Sequence, residues 1–240
     1  FAWVDGSGEA TLQLHPRLRV SPQGDTLLDA MLMWVNERVS VAGVTRCEIP
    51  ALADDTLYDA ALTRHGFARA QPTSLVFQQQ LDAPLSAPTL PDGWQVRHVA
   101  DEADSAQRVE LHRAVWYPSR VTVESYRRLR SAPLYRPAID LVAVSPKGAF
   151  AAYCICWYDP ANQTGEFEPV GTHPEFRGQG LGKAVVREGL RRLQALGARL
   201  ASVSTGVTDY PPKFSAAAAH RLYSAAGFAV VNTWWAYRNG

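Results

Sequence analysis

The stretch Glu166-Phe167-Glu168-Pro169-Val170-Gly171-Thr172-His173-Pro174-Glu175-Phe176-Arg177-Gly178-Gln179-Gly180-Leu181-Gly182-Lys183 decides the fold. It reads as a strand ending at Thr172, a turn at His173-Pro174, a loop with glycine at every second position, and the start of a helix. Glycine removes side chains where backbone N–H groups must approach a ligand. A helix N-terminus adds unsatisfied donors and the positive end of a dipole. Together these make an anion site suited to a pyrophosphate. Two other phosphate loops fit badly. A P-loop needs GxxxxGK[ST], and Lys183 is followed by Ala184; a dinucleotide fingerprint needs GxGxxG, whereas Gly178, Gly180 and Gly182 are spaced by twos.

Working outward, the spacing predicts a helix over 182–196, with Val185, Leu190, Leu193 and Leu196 apolar, Arg187, Arg191 and Arg192 facing water, and Gly197 as its stop. Upstream lie a predicted strand over 94–99 and a helix over 101–116 with acidic residues in its first turn. A shorter helix over 123–130 follows, then strands over 140–144 and 150–157. Downstream, a strand over 200–205, a helix over 216–226 closed by Gly227, and a strand over 228–237 complete an α/β order with a mixed central sheet.

The residues 83–92 form a linker carrying Pro84, Pro88 and Pro91. Before it, strands over 11–14, 44–49 and 74–80 and helices over 26–39 and 57–65 repeat the latter half of the downstream order. His15-Pro16 matches His173-Pro174, and Gly66-Phe67 matches Gly227-Phe228. The expected organisation is a partial, degenerate copy over 1–82 and a complete copy over 93–240. The start at Phe1 then reads as a cut inside a domain. In the first copy Arg19 keeps the place of Arg177, but Pro22 stands for Gly180 and Leu62 for Tyr223. Proline has no N–H to donate, and leucine has no proton to give. That copy is expected to have lost cofactor binding and to act as a structural or substrate-framing module, contributing Trp34, Phe67 and Phe77 to the core.

The segment 177–182, Arg-Gly-Gln-Gly-Leu-Gly, resembles the R/Q-x-x-G-x-G/A signature of the GNAT superfamily of N-acetyltransferases. Val170-Gly171-Thr172-His173-Pro174 resembles the end of that family's fourth strand, and Ala219, Leu222-Tyr223 and Gly227-Phe228 its A-x-x-L-Y-x-x-x-G-F segment. The resemblance implies a GNAT-like, mostly antiparallel sheet flanked by helices, with acetyl-CoA as donor. It places the CoA pyrophosphate on Arg177, Gly178, Gln179, Gly180, Leu181, Gly182 and Lys183. The pantetheine arm falls on Val170, Gly171 and Thr172, and a further cofactor contact on Ala219. Tyr223 would protonate the departing thiolate, a phenol of pKa about 10 against a thiolate near 8.5. Many members carry Asn where this chain has Ala216; the resemblance then implies either that a hydrogen bond to the cofactor is missing or that Ser215 or Lys213 replaces it.

An amine acceptor must lose a proton before it attacks, and a strand carboxylate is the usual acceptor of it. Of Glu166 and Glu168, Glu168 lies nearer the thioester end and is the favoured base. His173 precedes proline at a turn and is expected to shape the loop. Trp116, Tyr117, Tyr126, Tyr135, Trp157 and Tyr158 are candidates to frame the acceptor, with Asp140 and Asp159 as attractors of an ammonium group.

Lys+Arg 24 against Asp+Glu 23 gives no basic excess, which argues against nucleic acid; the arginines of the 182–196 helix read as a solvated face. No apolar run reaches membrane-spanning length. Cys47, Cys154 and Cys156 give an odd count, which is read as free buried thiols. Cys154 and Cys156 are expected on opposite faces of a strand, and free thiols indicate the cytoplasm. The reading is an acetyl-CoA-dependent N-acetyltransferase acting on a small-molecule primary amine, without metal, membrane or nucleic acid, and compatible with a homodimer. The alternative is a non-catalytic acyl-CoA-binding module.

Overall fold

The computed structural model describes residues 1–209 and 215–239. In chain order the first elements are β1 (Ala2–Val4), β2 (Ala10–Leu12), α1 (Pro16–Arg19), α2 (Gln23–Val41), β3 (Cys47–Leu52), α3 (Thr56–Arg64) and β4 (Ala68–Gln80). Then come β5 (Gln95–His98), α4 (Glu102–Val115), α5 (Val123–Arg130), β6 (Asp140–Val144), β7 (Phe150–Asp159), β8 (Thr164–Thr172), α6 (Leu181–Ala195), β9 (Leu200–Gly206), α7 (Ala216–Ala226) and β10 (Ala229–Asn239). Two compact units result: Phe1–Leu75 with the chain from Asn232 onward, and Val76–Val231. The proline-rich stretch lies in the second unit, where Gln194 Nε2 donates to the carbonyls of Leu81 and Ala83.

In the first unit, α2 turns Leu28, Leu32, Val35 and Val39 inward at helical spacing, onto Ile49, Tyr58, Leu62 and Phe67. Antiparallel pairing of β3 with the end of β10, from Leu52↔Trp234 to Cys47↔Asn239, closes this core. Phe67 belongs to it, but Trp34 is 41% exposed and contributes nothing to a core. The third strand begins at Cys47 instead of residue 44 because Val44 N–H still bonds Val39 O as the chain wraps the end of α2.

In the second unit the strand order is β9-β8-β7-β6-β5, with the latter half of β4 beside β9. The β5–β6, β6–β7 and β7–β8 pairs are antiparallel and β8–β9 is parallel. β6 and nearly all of β7 are buried, as strands covered on both faces must be. Val109, Val115 and Tyr126 of α4 and α5 pack with Val142, Tyr153 and Ile155. On the other face Cys154 and Cys156 both meet α6: their sulfurs lie 4.0 Å apart, and Cys154 Sγ approaches Val185 O. The expectation of opposite faces is therefore wrong, since residues two apart on a strand share a face. The α6 arginines are not a simply solvated face either. Arg191 and Arg192 pair with the largely buried Glu188, and Arg192 also donates to Ala138 O.

Candidate active site

A wedge between β8 and β9 makes the site. Parallel pairing runs only from Thr164↔Leu200 to Glu166↔Ser202; beyond Glu166 the strands part. The β7–β8 register slips between Cys154↔Val170 and Cys156↔Phe167, so Glu168 and Pro169 oppose the single residue Ile155. Such a bulge bends the strand and re-aims its side chains. His173 N–H bonds Ala151 O, which turns the backbone groups of Val170 and Thr172 away from β7 and into the wedge.

The glycine loop closes the wide end. His173 caps the turn after β8, its Nδ1 accepting from Glu175 N–H at 3.3 Å, so it shapes the loop. Gly180 caps α6 at φ 79°, a left-handed conformation that costs a residue with a side chain. No side chain caps α6 and no acid stands in its first turn, so its first amides stay open to an anion. Gly182 serves closeness: a Cβ there would sit 2.8 Å from Thr172 Oγ1, so α6 could not approach β8.

The resulting cavity measures about 440 Å³. Glu168, Val170, Gly171 and Thr172 line it from β8, Arg177, Gly178, Gly180, Leu181, Gly182 and Lys183 from the loop and α6, and Ala219 and Tyr223 from α7. Among the expected residues, Gln179 does not line it. Trp116, an expected acceptor-framing residue, lines it too; sequence reading missed Val115, Phe176, Leu222 and Ser204–Gly206, the last of which face the wedge only once β9 has parted from β8. Ser215 caps α7 and lines the cavity; Lys213 lies outside the described residues, and Ala216 N–H bonds Asp209 Oδ1 at 2.8 Å.

Tyr223 is buried, its ring against Phe77 and Phe228 at centroid distances of 5.7 and 5.9 Å. Burial first, then the negative charge of Glu168, push its pKa up, so the phenol stays protonated. Glu168 keeps an exposed edge at the mouth of the cleft. The surrounding walls strip enough water to raise its pKa above the ordinary carboxylate value, and Glu166 adds like-charge repulsion.

Several acceptor candidates are redirected. Asp140 is fully buried, accepts from Tyr126 and Tyr135 hydroxyls at 2.5 and 2.9 Å, and faces Arg108 at 3.7 Å, so no ligand reaches it. Asp159 closes its own turn onto Ala161 and Asn162. Tyr158 is buried and Tyr117 lies 59% exposed. Trp116 lines the cavity, its indole N–H donating to Tyr153 OH at 2.7 Å. Tyr153 OH also meets His112 Nδ1 at 2.8 Å. His112 is held neutral, its pKa lowered to about 4 by burial and by the nearby Arg108 charge. Among the described residues no group of three His, Cys, Asp or Glu side chains is placed to hold a metal, and no helix is long and apolar enough to cross a membrane.

Residues 105–228 match the family model described as Acetyltransferase (GNAT) family. The mycothiol acetyltransferase of Kineococcus radiotolerans is 31% identical over 98% of this chain and 75% of its own length; that of Thermobispora bispora is 29% identical over 95% and 75%. A GCN5-related N-acetyltransferase from Sphaerobacter thermophilus superposes with a TM-score of 0.71 at 21% identity, covering 99% of this chain and 75% of that one. A tandem GNAT protein from the clavulanic acid biosynthesis pathway gives 0.67 at 18%, covering 98% and 75%. Those two likenesses speak to the fold alone. The family model covers more than half of the chain, including the glycine loop and both walls of the cleft, and the chain belongs to the GNAT family of acetyltransferases.

Proposed function

We propose that this chain moves the acetyl group of acetyl-CoA to the primary amine of a small molecule by direct attack within a ternary complex. The observation that carries the reading is that Glu168 and Tyr223 open into the same cavity as the glycine loop. Acetyl-CoA supplies the activated acyl thioester. The open amides at the start of α6 hold its pyrophosphate, and the wedge-facing backbone of Val170 and Thr172 holds the pantetheine amides. Ala219 leaves room beside them. Glu168 accepts the proton of the attacking amine, directly or through water, as the new C–N bond forms. Tyr223 gives its proton to the sulfur as the C–S bond breaks, and solvent carries the proton from Glu168 back to the Tyr223 phenolate, restoring both groups. The raised pKa makes Glu168 a better base. The raised pKa of Tyr223 makes it a weaker acid, but a thiolate in the same apolar site is harder to leave charged, which restores the driving force.

The relatives are named mycothiol acetyltransferases, so acceptors related to mycothiol are the first to try. We read residues 1–82 as a partial copy without cofactor chemistry and 93–240 as the catalytic copy. The free buried thiols of Cys47, Cys154 and Cys156 favour the cytoplasm. The test is calorimetry with acetyl-CoA, then CoA-thiol release with ethanolamine, glucosamine, spermidine and tryptamine. One acetyl-CoA per chain and turnover with at least one amine are expected. Absence of acetyl-CoA binding at about millimolar concentration, an affinity of only ~4 kcal/mol, overturns the reading.

A further inference from the structure

The bulge that aims Glu168 also takes its carbonyl out of the β7–β8 ladder, because Glu168 and Pro169 share Ile155 as their single opposing residue. A polar backbone group at such a place needs a partner. Trp157 of β7 supplies it: the indole Nε1–H donates to Glu168 O at 2.8 Å. The indole is braced in turn. The Tyr135 ring stands edge-on to it, with centroids 6.5 Å apart and planes at 69°. Tyr135 is anchored through its hydroxyl to Asp140, which also accepts from Tyr126 and faces the buried Arg108. Nothing in the acyl transfer uses this cluster, yet it ends on the peptide that carries the base.

We infer that Trp157 is a positioning residue for Glu168: its indole N–H fixes the 168–169 peptide, and with it the direction in which the carboxylate enters the cleft. The Tyr135–Asp140 pair holds the indole in place for this. The inference rests on Glu168 acting as the base.

Trp157→Phe keeps an aromatic ring but removes the donor. Turnover with the most reactive of the four amines is expected to fall about tenfold, the order of one positioning hydrogen bond. Acetyl-CoA affinity by calorimetry stays unchanged, and the acid limb of the pH profile moves. Trp157→His, which retains a ring N–H, recovers part of the loss. In a Glu168→Gln background the same Trp157→Phe change alters turnover less than about twofold, because there is no base left to aim. Should Trp157→Phe not fold, Tyr135→Phe carries the same cycle with a loss of about threefold. Wild-type turnover in the single variant overturns the proposal, as does an equal loss with and without Glu168. Full turnover in Glu168→Gln alone removes instead the general-base reading on which the proposal stands.

Discussion

The chain contains the same turn twice, and only one of the two leads to a helix start whose first amides are left open. His15 and His173 share their backbone conformation, φ −56° and ψ 138° against φ −52° and ψ 135°. Each accepts through Nδ1 from the N–H two residues on, at 3.2 and 3.3 Å. Seven residues after each histidine the two segments diverge. Gly180 caps α6 left-handed at φ 79°, whereas Pro22 caps α2 at φ −57° and has no N–H. Asp25 stands in the first turn of α2 and pairs with Arg64 at 2.8 Å, while the first turn of α6 carries no acid. Arg19 is drawn 2.6 Å from Asp55, the cap of α3, and lies over the Tyr58 ring at 5.0 Å. A similar opening exists in the first unit: Glu9, just ahead of β2, makes one parallel bridge with Glu48 of β3, and a cavity lies beyond. Tyr58 reaches into it and donates to Leu12 O at 3.2 Å. The lesson is that His-Pro dictates a turn, while phosphate affinity needs open amides and no nearby carboxylate.

The comparison breaks most visibly at the caps. Gly180→Pro should lose turnover by more than about 10²-fold, since proline holds φ near −65°. Pro22→Gly should leave turnover unchanged; equal effects in the two copies would end the argument for one active copy. Glu168→Gln should slow acetyl transfer by about 10²–10⁴-fold. The first unit offers Ala10 two residues before Leu12, where Glu168 precedes Val170. Because the folded state binds the Glu168 proton more tightly than the unfolded chain, ionising it above its raised pKa lowers stability. Glu168→Gln should therefore melt no lower than the wild type at neutral pH. In the wild type kcat/KM should rise with pH through an apparent pKa above the ordinary glutamate value. Tyr223→Phe should reduce kcat by about 10–10²-fold with acetyl-CoA affinity retained, whereas Leu62→Met in the first copy changes only the melting temperature. Gly182→Ala should cost about 1–3 kcal/mol in a denaturant titration, from the clash with Thr172 Oγ1. The smallest effect belongs to Asp55→Ala. It removes the α3 cap at about 1 kcal/mol, releases Arg19, and leaves the acetyl-CoA stoichiometry at one.

Much of this was legible in advance for a local reason. α5, β6 and α7 have the bounds that their patterning predicts, and the glycine loop lies at the helix start where its spacing puts it. Helix periods, caps and turn residues act over a few positions and leave their mark in the residues themselves. The cysteine pair went astray through a misapplied strand period, and Trp34 through treating a large aromatic as necessarily core. Trp116 and Trp157 read in the sequence only as aromatics near the acceptor; their partners carry no local signal, since one is joined to Tyr153 on a strand 37 residues away and the other to the Glu168 carbonyl across a bulge.

The sequence by itself determined the α/β order, the glycine loop at a helix start, and the residue types that stand where the proposed base and acid are placed. These follow from side-chain type and short-range backbone preference. Tertiary structure alone decided that β8 and β9 part after Glu166, that a bulge turns Glu168 into the opening, and that Asp140 is sealed away while Trp157 reaches the Glu168 carbonyl. Those outcomes depend on register between strands far apart in the chain, and a one-residue slip in register is invisible until the strands are laid side by side.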